Sequence, residues 1–109
     1  MIEGFWIAQY ASVNGSDAGV LVLLNGKVFG GDSGFTYLGV YHEKGNNVTV
    51  NVEISNFNPN VPNVLNIPGD FVLNLNMTVE SENEMRGIGT TPLSADYTLK
   101  VKLTRRANL

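Results

Sequence analysis

Between Gly30 and Gly39 the chain reads Gly-Gly-Asp-Ser-Gly-Phe-Thr-Tyr-Leu-Gly, a glycine-rich stretch with one carboxylate, Asp32, and two aromatic rings, Phe35 and Tyr37. Glycine beside a carboxylate can cradle a ligand. Three glycines in five positions also mark a tight turn, a bulge or a place where another surface approaches closely. Asp70 is a second carboxylate of this kind, beside Gly69 and immediately before an apolar run. For both acids the structural reading is a turn acceptor that takes backbone amides a residue or two ahead. The functional reading is contact with a ligand or partner.

The remaining inventory argues against catalysis. There is one histidine, no cysteine, and no serine set in a nucleophile elbow or beside a plausible base. His42 and Glu43 are adjacent on a predicted strand and so point to opposite faces, which is poor geometry for a shared metal. Neither a metal nor another cofactor is implied, and the protein is not expected to be an enzyme. A net charge of −3 and a pI near 4.9 oppose the phosphate contacts that direct nucleic-acid binding needs. Lys100, Lys102 and Arg106 form a basic stripe, read as a solvated strand face.

Strand periodicity must position these groups. Val48, Val50, Val52 and Ile54 alternate with Asn47, Thr49, Asn51 and Glu53, the signature of a half-buried strand. The same pattern holds from Phe71 to Val79 and from Tyr97 to Thr104. Further strands are predicted over about Gly4–Ala11, Gly19–Leu24, Lys27–Gly30, Phe35–His42 and Glu84–Thr90. Asn25-Gly26 is a strong two-residue hairpin signal, with turns also expected at Lys44-Gly45-Asn46 and Ser81-Glu82-Asn83.

Short connections make sequential strands antiparallel neighbours, and a meander that closes protects its edges. The expected fold is therefore all-β: one domain over residues 1–109, an up-and-down antiparallel barrel of about eight strands. The segment from Asn56 to Gly69, with Pro59, Pro62 and Pro68, is expected to cross one mouth as an ordered loop. Val20 to Leu24 are apolar on both faces and Phe5 to Ala8 nearly so. That outer face calls for a cover, either a loop or terminus or the second copy of a homodimer. No apolar run reaches the length of a membrane helix and no secretory signal precedes the first strand, so a cytoplasmic protein is expected.

Gly4-Phe5-Trp6 on the first strand resembles the Gly-x-Trp signature of lipocalin-like calycin barrels. That resemblance implies a basic side chain from the last strand, Arg105 or Arg106 here, packed across the indole and closing the barrel base. Such a contact contributes on the order of 0.5 to 2 kcal/mol. A wider resemblance runs through two blocks. Gly30-Gly31-Asp32 followed by Tyr37, Gly39 and Val40 forms the first, and Val64-Leu65-Asn66-Ile67 followed by Asp70 forms the second. In this order and spacing they resemble the GrlR-like negative regulators of type III secretion genes.

The family resemblance implies a dimeric calycin-like barrel with a hydrophobic cavity that represses by binding a transcriptional regulator protein rather than DNA. In the best-known member an acidic run on an exposed hairpin turn binds the activator. The corresponding place here is His42-Glu43-Lys44-Gly45-Asn46-Asn47, so Glu43, with Lys44 beside it, is the candidate partner contact. The alternative is a carrier or sensor for a small apolar ligand, with Phe35, Tyr37, Phe71, Leu73, Leu75 and Leu99 as candidate cavity lining.

Overall fold

The computed structural model describes residues 2–109. Strand periodicity is realised as eight strands: β1 (Gly4–Ser12), β2 (Gly15–Leu24), β3 (Lys27–Gly31), β4 (Phe35–Lys44), β5 (Asn47–Asn56), β6 (Phe71–Ser81), β7 (Glu84–Thr91) and β8 (Ser94–Ala107). Each pairs antiparallel with its sequence neighbours, and β8 pairs with β1 to close the barrel. The result is an up-and-down barrel consistent with the calycin or lipocalin-like class. β2 starts at Gly15 rather than Gly19 because Ser16, Asp17 and Ala18 stay in register with Ala11, Tyr10 and Gln9 of β1. That pairing is set by backbone amides and is invisible to hydrophobic alternation.

The turns follow local stereochemistry. Asn25 and Gly26 both take positive φ, 52° and 78°, as a type I′ hairpin requires. Gly30, Gly31, Gly34 and Gly39, by contrast, do not adopt positive φ. They are small because other atoms come close: a Cβ would lie 2.3 Å from the Val20 carbonyl oxygen at Gly30 and 1.9 Å from that of Asn51 at Gly39.

Because the strands alternate in direction, the barrel has two distinct ends. The start of β1, the end of β8 and the turns β2–β3, β4–β5 and β6–β7 form the base. The opposite mouth carries the β1–β2, β3–β4 and β7–β8 turns and the long β5–β6 loop. The large side chains withdrawn most completely from solvent are Trp6, Leu23, Val28, Val48, Val50, Met77, Met85 and Leu103. By register they all lie toward the base, where Val28, Val50 and Leu103 form the floor of an internal cavity and the other five pack beneath it.

At the base Arg105 holds its guanidinium 4.6 Å from the Trp6 ring centroid. Its Nη1 donates to the Glu3 carbonyl at 2.5 Å and its Nε to the Glu82 carbonyl at 3.0 Å. Trp6 Nε1 donates to the Ile2 carbonyl at 2.9 Å. Of the two arginines, then, Arg105 covers the indole, because it is the direct cross-strand partner of Trp6 while exposed Arg106 points outward. Gly4 leaves it room, since a Cβ there would stand 2.6 Å from Arg105 Nη1.

The mouth is covered as expected by the β5–β6 loop, whose Leu65 and Ile67 are buried. Asn63 organises it: Oδ1 accepts the amides of Leu65 and Ile67 at 2.9 and 3.1 Å, and Nδ2 donates to the Ile67 carbonyl at 2.7 Å. Asn66 takes a positive φ of 57°, a left-handed conformation that asparagine tolerates. The Ser12 hydroxyl ties the loop to β1 by donating to the Val64 carbonyl. No helix among the described residues is long and apolar enough to cross a membrane.

The outer face of β1–β4 differs from the rest. Phe5, Val22, Phe29 and Leu38 form one lateral row of cross-strand neighbours. Phe29 is 47% and Leu38 53% exposed, with Val20, Leu24 and Val40 exposed beside them. Among the described residues neither a loop nor a terminus covers Phe29, Leu38 or their exposed neighbours. The apolar row ends at β5, where Leu38 pairs with Glu53 and the outward residues are polar.

Candidate functional site

Beneath the loop the barrel is not filled. A cavity of about 70 Å³ lies in the mouth half, and its wall is almost wholly apolar. Phe35, Tyr37, Phe71, Leu73, Leu75 and Leu99, the six residues expected from strand alternation to line an interior, all face it. An engineered apolar cavity of roughly 150 Å³ admits benzene, so the space here suits a smaller group.

One polar cluster interrupts the apolar wall. Asp32 sits in the β3–β4 turn, where its Oδ1 accepts the amides of Gly34 at 2.9 Å and Phe35 at 3.0 Å. This is the turn-acceptor role expected from sequence. Its other oxygen does something the sequence reading did not foresee: Oδ2 accepts the hydroxyls of both Tyr10 and Tyr37. The two phenolic oxygens stand 3.0 Å apart.

Tyr10 enters from β1 because Gly4, Trp6, Ala8 and Tyr10 share the inward face. Tyr37 enters from β4 on the face of Phe35 and Tyr41. Small side chains make the space they need: Ala8 pairs with Gly19, and a Cβ at Gly19 would lie 2.5 Å from the Tyr37 hydroxyl. The available signal was parity, since two inward tyrosines at one end of a barrel need a buried hydrogen-bond partner. Asp32 is the carboxylate at that end.

Burial pushes the Tyr10 and Tyr37 hydroxyls well above the ordinary phenol value near 10, and the hydrogen bonds to Asp32 push in the same direction. In the unfolded chain both ionise near pH 10, whereas in the folded chain they keep their protons. Stability is therefore fully present below pH 10 and falls above it, by up to about 1.4 kcal/mol per pH unit for each tyrosine. Urea unfolding midpoints measured from pH 8 to 12 are expected to drop steeply above about pH 10, and less steeply in Tyr37→Phe. A midpoint unchanged across that range would contradict the geometry.

The other expected residues lie elsewhere. Asp70 does not accept amides ahead of itself; its Oδ1 takes the amide of Asn56 at 2.9 Å, across the neck of the long loop. The reason is that the β5–β6 ladder ends at Ile54 and Phe71, leaving the Asn56 amide without a strand partner. Glu43 and Lys44 are exposed at the base end of β4, opposite Val48 and Asn47, and so at the far end of the barrel from Asp32. Lys102 of the basic stripe lies 3.7 Å from Glu84, which also pairs with Arg86 at 2.8 Å. Among the described residues no group of three histidine, cysteine, aspartate or glutamate side chains could hold a metal ion.

Fold and site together define a small closed up-and-down barrel, consistent with the calycin or lipocalin-like class, with a sealed base, a looped-over mouth and an internal cavity carrying one polar cluster. No protein-family model matches the chain, and no curated protein matches it either.

Proposed function

We propose that this protein is a cytoplasmic interaction module that regulates transcription by binding a transcriptional regulator protein, in the manner of the GrlR-like repressors its two sequence blocks resemble. The observation that supports a binding role most directly is the apolar outer face of β1–β4. Monomers seldom expose contiguous apolar patches larger than a few hundred Å², and such patches mark protein interfaces. This face serves a homodimer, leaving the Glu43–Lys44 turn free for the regulator.

Pull-down from the native host followed by mass spectrometry tests the regulatory role. Recovery of a transcriptional regulator that is lost on changing Glu43 and Lys44 together is the expected result, and recovery of none counts against it. The dimer has its own test. Leu38→Glu places a carboxylate in the apolar row and removes a side chain whose burial is worth about 1.5 to 3 kcal/mol, counted once on each subunit. Sedimentation equilibrium is expected to show dimer dissociation raised by at least about a hundredfold. A wild-type chain that sediments as a monomer at high concentration would remove this part of the proposal.

A second reading, a carrier or sensor for a small ligand, is favoured by the cavity itself. Its limited volume restricts the occupant to a short chain or small head group rather than a lipid.

A further inference from the structure

The chemistry of the cavity wall narrows the ligand, in an inference that rests on the second reading above. The wall carries two carboxylates, Asp17 and Asp32, and no lysine, arginine or histidine. Among the described residues neither acid takes part in an ion pair. Their hydrogen bonds come from neutral donors alone: Asp17 Oδ1 accepts the amide of Ala18, and Asp32 accepts two amides and two phenols.

Counting hydrogens sharpens the point. A tyrosine hydroxyl has one proton to give, and those of Tyr10 and Tyr37 both go to Asp32 Oδ2. The two phenolic oxygens are themselves within hydrogen-bond distance at 3.0 Å, and a proton turned from Asp32 to bridge them would still leave no hydrogen free for a ligand. Three oxygens share two protons. The corner formed by Tyr10, Tyr37 and Asp32 can accept hydrogen bonds but cannot donate them and carries a carboxylate, while the Asn63 amide on the same wall is bonded to the loop backbone at Leu65 and Ile67. A carboxylate or phosphate ligand is excluded by both properties, and an alcohol would answer only the first.

We infer that the cavity binds a small primary amine as its ammonium ion, with the nitrogen at the Tyr10, Tyr37 and Asp32 oxygens and a short hydrocarbon stem among the aliphatic side chains below. The ammonium offers three donors and a positive charge to a site that lacks both. Asp17, paired across β1–β2 with Tyr10, adds a second negative charge at the same end. A volume of about 70 Å³ holds a stem of a few carbons and no more.

The test uses the full chain labelled with nitrogen-15, titrated at fixed ionic strength with propylammonium, 1-propanol or propionate. The reporters are the amides of Gly34 and Phe35, which donate to Asp32. Propylammonium is expected to shift them saturably, with affinity at least about tenfold above that of propanol, while propionate leaves them unmoved. Tyr10→Phe removes one phenolic oxygen without removing the carboxylate, and is expected to weaken propylammonium severalfold and propanol, which has a single donor to place, by less. Propanol binding as tightly as propylammonium would overturn the amine assignment and leave the small-ligand reading standing. Saturable binding of none of the three would overturn both.

Discussion

Trp6→Ala is expected to lower the unfolding free energy by about 3 to 5 kcal/mol, the usual range for truncating a fully buried large aromatic side chain. The indole has no solvent exposure and lies beneath the cavity floor, where Leu23, Val48, Met77 and Met85 are equally sealed and surrounding strands leave little freedom to collapse. Truncation also removes the surface on which the Arg105 guanidinium rests and the indole donor to the Ile2 carbonyl. Against a total stability of about 5 to 15 kcal/mol for a domain of this size, the loss is a large fraction. Urea unfolding followed by circular dichroism measures it. Trp6→Phe keeps a ring under the arginine and should lose clearly less; a Trp6→Ala variant within about 1 kcal/mol of the parent would show that the base is not the packed end.

Asp32→Ala should be the second most damaging change, at about 2 to 4 kcal/mol, for a different reason. It removes few contacts but leaves four donors, the amides of Gly34 and Phe35 and the hydroxyls of Tyr10 and Tyr37, without their acceptor. Each buried unsatisfied donor costs about 1 to 3 kcal/mol, and water at the partly exposed turn recovers some of it. Asp32→Asn keeps an acceptor for the two amides and is expected to recover roughly half of the loss. The pair of variants also separates the two causes of the tyrosine shifts. Without the Asp32 hydrogen bonds the phenols should ionise at lower pH than in the parent, yet still above 10, because burial remains. Phenolate absorbance during alkaline titration reads this directly, and phenols unaffected by Asp32→Asn would place the carboxylate outside the cluster.

The base of the barrel was legible through a resemblance: Gly4-Phe5-Trp6 is a short motif, and the calycin pattern it resembles implies a basic partner from the last strand. Which of Arg105 and Arg106 faces inward was left to strand register. Asp32 as a turn acceptor was legible because its information is local, since its amides come from Gly34 and Phe35. The phenol cluster was not. Tyr10 lies 22 residues from Asp32, and their meeting depends on the register of β1 against β2 and β2 against β3 together. Asp70 shows the converse failure: a local rule suggested the wrong amide because the end of the β5–β6 ladder supplied a needier one.

The closure of β8 onto β1 has a consequence for how the chain reaches this state. Seven of the eight ladders join strands adjacent in sequence, whereas the eighth brings together residues such as Glu3 and Arg105, 102 positions apart. Loop-closure entropy weighs most on such a contact, and folds dominated by non-local pairing typically mature in milliseconds to seconds. Until the seam shuts, β1 and β8 are open sheet edges able to pair with the wrong chain. Arg105 over Trp6 sits on that seam, bonded to carbonyls on both sides of it, at Glu3 and at Glu82. In the finished barrel it fastens the one non-local seam, and with it the two strand edges that would otherwise lie open to other chains.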